Sequence, residues 1–149
     1  MTDQTKSAAT LLTEYLSSIG AGDPRVTASY FAQDGFIDAP YVEVFGMPAR
    51  IVGPAAIEAT MTNLLKTAPN FRLKNIRVIL ESPTTVVAEY ESEAVMANGR
   101  PYQQLYFAQL TSQDGKIVHH REFLNTIPFV QAFFPGGLRD LIQDAGSSS

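Results

Sequence analysis

The stretch PYQQLYFAQLTSQDGKIVHHREFLNT (residues 101–126) decides the fold. β-rich runs lie on both sides of Asp114-Gly115, a dipeptide that favours the tight turn of a hairpin. Tyr102 to Thr111 and Lys116 to Thr126 therefore read as paired antiparallel strands. Upstream, Asn98-Gly99-Arg100-Pro101 is a second turn signal, preceded by another β-rich run from Thr85 to Met96. Ser82-Pro83-Thr84 separates that run from Phe71 to Glu81. The pattern predicts a meander of four antiparallel strands.

The first half of the chain has the helical period. Leu11, Leu12, Tyr15, Leu16 and Ile19 recur at helical spacing, and Gly20-Ala21-Gly22 ends the run. Asp23-Pro24 offers an N-cap and a first-turn proline for a second helix, predicted to reach about Ala32. Phe36 to Val44, interrupted by Pro40, reads as a short strand turning into a loop. Gly53-Pro54 opens a third helix with Ile57, Met61, Leu64, Leu65 and Ala68 on one face, and Pro69 stops it. Pro128 to Phe134 is a short apolar segment, helical or irregular. Helices followed by a meander give an α+β domain: a cone-shaped, curved antiparallel sheet with three N-terminal helices enclosing a pocket.

Composition narrows the function. The 149 residues suit one domain, with an expected ordered core of about residues 8–143 and a frayed tail from Ala145 to Ser149. A net charge of −4 with no basic cluster argues against nucleic acid. The chain has no cysteine, which removes disulfides, thiolate nucleophiles and zinc–thiolate sites. Met1 to Thr10 is polar, and no apolar run approaches the roughly 20 residues of a membrane span. The expectation is a cytoplasmic protein with no membrane or nucleic-acid partner and no cofactor.

Four segments in this order resemble the SnoaL-like, nuclear transport factor 2-like superfamily: residues 15–23, 30–38, 51–57 and 114–117. Within it, Asp114-Gly115-Lys116-Ile117 followed by Arg121-Glu122-Phe123-Leu124-Asn125 is most similar to the phenazine-biosynthesis A/B type. The resemblance implies that Glu122 points into the pocket and works as an acid/base group. It also implies dimerisation through the outer face of the sheet. Departures are visible too. The histidine which that family carries on the third helix falls here on Met61, a pocket-lining residue that cannot shuttle protons. Against steroid isomerases, Tyr15 matches a tyrosine that donates to an oxyanion. The proton-abstracting aspartate falls on Ala39, one residue after Asp38, and a second acid on Phe107.

Alternation places Val118, His120, Glu122 and Leu124 on one strand face, and Ile117, His119, Arg121 and Phe123 on the other. Desolvation between apolar neighbours raises a carboxylate's pKa, which suits proton transfer near neutral pH. Glu122, His120 and Tyr15 are the candidate catalytic groups, and Asp38, Tyr41, Met61, Phe107 and Leu124 the candidate ligand contacts. Adjacent histidines on a strand diverge, so His119 and His120 are poor partners for one metal ion. Glu89, Glu91 and Glu93 read as a solvated face with partners such as Lys74 or Arg77, and no metal site is expected. Tyr102 and Tyr106, opposite in parity to Phe107, are expected on the outer, dimer-forming face. Three functions stay open: a proton-transfer enzyme acting on a small apolar ketone-like molecule, a non-catalytic binder or carrier, and a dimerisation module with a filled cone.

Overall fold

A computed structural model describes residues 5–141; the tail from Ala145 to Ser149 lies outside the described residues. Helix α1 spans Ala8–Gly20, with Ser7 as N-cap accepting from the Thr10 amide. Helix α2, Pro24–Ser29, is capped by Asp23 and carries its proline in the first turn. Strand β1 is Phe31–Asp38, and a 3₁₀ turn follows at Pro40–Phe45. After β2, Arg50–Val52, helix α3 runs Pro54–Thr67. The meander is β3 Arg72–Glu81, β4 Thr85–Val95, β5 Pro101–Gln113 and β6 Lys116–Leu124. Helix α4, Thr126–Phe133, follows β6 and is capped by Asn125. No helix among the described residues is long and apolar enough to cross a membrane.

The strands form one curved, unclosed sheet in the order β2-β1-β6-β5-β4-β3. The four meander strands are antiparallel, as the turn signals require. Asp114 and Gly115 both take positive φ, 52° and 75°, which closes the β5–β6 hairpin in two residues. β1 joins β6 in parallel, a contact that local patterning does not disclose. This pairing also corrects the second helix, which stops at Ser29 rather than Ala32. The Tyr30 carbonyl accepts from the Ile117 amide at 2.8 Å and Phe31 pairs with Ile117, so sheet pairing claims residues that could have continued a helix. The short strand expected from Phe36 begins earlier, at Phe31, and gives way as expected at Pro40, where the connection is a 3₁₀ turn.

Two irregularities aim the sheet. In β6 the register slips between Ile117 and His119, a bulge at Val118. Simple alternation placed Ile117 outward with His119; the bulge instead buries Ile117 fully while His119 stays out and His120 in. In β1 the register against β6 shifts between Phe31 and Phe36. Gly35 sits in that shift, and a Cβ there would lie 2.5 Å from the Ile117 carbonyl oxygen and 3.0 Å from that of Ala32.

The core lies between α1 and the inner face of the meander. Helix α1 buries Leu11, Leu12, Tyr15, Leu16 and Ile19 against Val86, Ala88 and Tyr90 of β4 and Ala108 and Leu110 of β5. The outer face of β4 carries the three glutamates. Glu93 is bound by Arg72 and, at 2.8 Å, by Lys74; Glu89 is bound by Arg77, and Glu91 by the Asn75 amide. Tyr102 and Tyr106 are not on that face. Register pairs Tyr106 with Tyr90 and Phe107 with Glu89, so the glutamate stripe carries Phe107 outward and the tyrosines inward.

Replacing Gly35 with alanine drives a methyl group into two backbone carbonyls that cannot yield. The expected cost is about 2 kcal/mol or more of unfolding free energy, measurable by urea denaturation; an unchanged midpoint would mean that the β1 bulge is not held as described.

Candidate functional site

A cavity of about 490 Å³ lies between α1, α3, α4 and the inner face of the sheet. Its wall is mostly apolar: Leu16 and Ile19 from α1, Ile37 from β1, Met61 and Leu64 from α3, and Phe129 and Phe133 from α4. Thr60, Asn63 and Thr67 bring polar side chains from α3. The polar groups from the far side are Tyr15, Tyr102, Tyr106, His120 and Glu122. Among the described residues, Glu122 is the one carboxylate in this wall.

The sequence-derived candidates divide sharply. Tyr15, Met61, His120, Glu122 and Leu124 line the cavity. Asp38, Tyr41 and Phe107 do not. Asp38 pairs with Arg121 of β6 while its neighbour Ile37 faces inward, so its carboxylate points out through the sheet. There it meets His119 Nε2 at 3.0 Å, with Arg50 at 3.7 Å and Arg121 at 4.0 Å. His119 also stacks on Phe36 at 4.3 Å. Ala39, one residue on, lines the cavity in place of Asp38. Tyr41 lies in the 3₁₀ turn, half exposed, with its ring edge-on to Phe123 at 5.2 Å. Phe107 is 48% exposed on the outer face.

Inside the core the polar residues form one chain. His120 is 1% exposed, and both ring nitrogens have tyrosine partners: Tyr15 Oη at 3.1 Å from Nδ1 and Tyr90 Oη at 2.9 Å from Nε2. The Tyr90 hydroxyl also donates a short hydrogen bond to Glu122 Oε2. Tyr90 carries no local signal of this role: it lies between Glu89 and Glu91 on β4, and its partners come from β6, 30 and 32 residues away. Beside this chain, Tyr106 bonds Ser92 at 2.8 Å, and Tyr102 accepts from Gln104 Nε2 at 3.0 Å. Gln104 in turn accepts from the Asn125 amide at 2.8 Å, fixing the junction of β6 with α4.

Burial decides the charges. Desolvation drives His120 from its ordinary 6.5 down to about 3, so the imidazole is neutral throughout the physiological range. Desolvation raises Glu122 from 4.5 to about 7, with the Tyr90 hydrogen bond pulling the other way. Tyr15 and Tyr90 are pushed well up, first by burial and then by the nearby Glu122 charge. Burial likewise takes Tyr102 up to about 12. The site thus combines neutral hydroxyls, a neutral imidazole and one carboxyl group poised near neutrality.

Helix α4, which supplies Phe129 and Phe133, is clasped from the β4–β5 turn. Arg100 donates from Nη1 to the carbonyls of Gln131 and Phe134 and from Nη2 to that of Pro135. Asn98 adds a 3.3 Å bond to the Ala132 carbonyl. These are the last carbonyls of a helix and its exit, where a cation is favourable.

The fold and this wall place the protein in a known class: the chain belongs to the SnoaL-like domain family, whose model matches residues 12–120. The solved structure of a candidate isomerase from Bacillus subtilis is similar with a TM-score of 0.77 at 26% identity, over 87% of this chain and 93% of that one. A phenazine biosynthesis-related protein from Pseudomonas aeruginosa is similar in fold, with a TM-score of 0.73 at 22% identity over 84% and 83% of the two chains. In sequence, the uncharacterised protein YesE of Bacillus subtilis (strain 168) is 26% identical over 131 residues, 86% of this chain and 88% of YesE.

Two measurements probe this geometry. Arg100→Ala should lower stability by about 1–2 kcal/mol and speed hydrogen exchange at the Val130 and Phe134 amides; unchanged exchange there would mean that the clasp does not hold α4. The second is a pH profile. His120 is neutral in the fold yet protonated in the unfolded chain between about pH 3 and 6.5, so it makes stability rise with pH there. Glu122 keeps its proton in the fold but loses it in the unfolded chain between about pH 4.5 and 7, so it makes stability fall with rising pH there. Between pH 4.5 and 6.5 the two oppose each other. Relative to the unmodified protein, Glu122→Gln should therefore gain stability steadily from pH 4.5 to 7, by up to about 3 kcal/mol. Parallel profiles in urea melts would mean that Glu122 is ionised in the fold.

Proposed function

We propose that the cavity binds a small, mostly apolar molecule and that Glu122 transfers a proton to or from it. The reaction class is that of an isomerase, cyclase or dehydratase acting on a ketone-like substrate. One observation carries this reading: the single carboxyl group in the cavity wall among the described residues is held near pH 7 by desolvation and is hydrogen-bonded from behind by Tyr90. A group whose pKa lies near the working pH exchanges protons most effectively in both directions. His120 and Tyr15 orient rather than exchange, since the imidazole stays neutral and the phenol keeps its proton. The isomerase description of the Bacillus subtilis neighbour agrees with this chemistry.

A second reading keeps the same cavity without turnover. An apolar wall of this size suits a carrier as well, with Glu122 fixing the ligand's orientation. The two are separated by one variant. Glu122→Gln preserves shape and hydrogen bonding, so an enzyme should lose at least about 100-fold in kcat while ligand affinity stays within a few-fold. Full turnover in that variant would overturn the acid–base role. A ligand that raises the melting temperature without being consumed would favour the carrier.

We also propose that two copies pair through the outer face of the sheet. The support is Leu105 and Phe107, 58% and 48% exposed beside each other on β5, in place of the tyrosines expected there. Phe107→Lys should shift the protein from dimer to monomer in light scattering without changing its circular dichroism; a monomeric unmodified protein would refute the pairing.

A further inference from the structure

Tyr90 is fully buried and is absent from the cavity wall, yet its hydroxyl touches two residues that form that wall. A phenol carries one hydrogen to donate, and its oxygen accepts. An ionised carboxylate can only accept, so the Tyr90 hydrogen is directed at Glu122 Oε2. The Tyr90 oxygen is then left to accept, and the group facing it is His120 Nε2, which must carry the imidazole hydrogen. Nδ1 is consequently bare and takes the hydrogen of Tyr15. Three hydrogens run in one direction, from α1 through β6 and β4 to the carboxylate.

The Tyr90 ring is fixed independently of these bonds. It stacks on Tyr106 at 5.1 Å with the planes 26° apart, in a core layer where both residues are buried. Its hydroxyl therefore cannot swing away. Nor can His120 replace it without movement, since Nε2 stands 3.6 Å from Glu122 Oε2. The groups facing Glu122 are Tyr15 of α1, Tyr90 of β4, Tyr102 and Tyr106 of β5 and His120 of β6, all uncharged near neutral pH. Tyr90 is the one that donates a hydrogen bond to the carboxylate.

We propose that Tyr90 is a positioning residue for the cavity acid: it sets the direction of the chain Tyr15–His120–Tyr90–Glu122, holds His120 in the Nε2–H tautomer and fixes the Glu122 carboxyl at the cavity wall. The proposal rests on the reading of Glu122 as the acid–base group. It also redefines Tyr15. With its hydrogen committed to Nδ1, Tyr15 is an acceptor and not the oxyanion donor implied by the steroid-isomerase resemblance.

Nitrogen-15 NMR of the His120 ring in the intact protein at pH 8 tests the direction without any variant: Nε2 should be protonated and Nδ1 bare. Carbon-13 titration of the Glu122 carboxyl tests the positioning. Tyr90→Phe keeps the stacked ring and removes the hydroxyl, so the Glu122 midpoint should rise by about one pH unit, the worth of a hydrogen bond to a charged group. Tyr15→Phe, at the far end of the chain, should move it by less than half as much. An Nδ1–H tautomer in the unmodified protein overturns the proposal, and so does a Tyr90→Phe midpoint equal to the unmodified one. Full turnover in Glu122→Gln would remove the acid–base reading while leaving the tautomer result standing, so the two failures are distinguishable.

Discussion

A histidine sealed from water must find a partner for each ring nitrogen, or the core pays the full cost of an unsatisfied polar group. In this protein both partners are tyrosine hydroxyls, one from the first helix and one from the second meander strand. Much of the site follows from that arrangement. It ties α1 to the middle of the sheet around an imidazole that burial keeps neutral, and passes the chain of hydrogen bonds on to Glu122. No buried side-chain nitrogen or oxygen among the described residues lacks a partner, so the polar layer is complete within an otherwise apolar interior.

The sheet delivers these groups because of two local departures from regularity. The bulge at Val118 lets Ile117 and His120 both face inward, which uninterrupted alternation forbids. From there the regular pleat carries Glu122 and Leu124 to the cavity wall. The shift in β1, made possible by the missing side chain at Gly35, sets the register of that strand on β6 with which Ile37 reaches the cavity. Asp38 is turned outward by the same pleat, where His119 and two arginines meet it. A residue's chemistry thus mattered less than its parity along the strand.

The cavity sets the electrostatics. A carboxyl group walled by leucine, isoleucine, methionine and phenylalanine loses hydration and holds its proton, and one hydrogen bond from Tyr90 recovers only part of that loss. Low polarity also strengthens any interaction the group makes with a bound molecule. The same surroundings that destabilise the ionised carboxylate in the fold make it useful near neutral pH, a conflict between stability and activity common at functional sites.

The sequence by itself determined the four meander strands, the first and third helices and the shared strand face of His120, Glu122 and Leu124, whose inward direction only the family resemblance implied. Periodicity and turn chemistry are local, and Asn98-Gly99 and Asp114-Gly115 state them clearly. A hairpin centred on Asn98 pairs residues equidistant from it, so the solvated glutamate stripe already places Phe107 outside and Tyr90, Tyr102 and Tyr106 inside. Each face of β5 carries large apolar side chains, Tyr102, Tyr106 and Leu110 on one and Leu105 and Phe107 on the other, so alternation within that strand alone cannot say which one looks at the helices. Only the tertiary structure decided the rest: the parallel pairing of β1 with β6, the early end of α2, the outward turn of Asp38 and the meeting of Tyr15, His120, Tyr90 and Glu122. Those contacts join residues far apart in the chain, and their geometry depends on strand register and bulges that no local preference encodes.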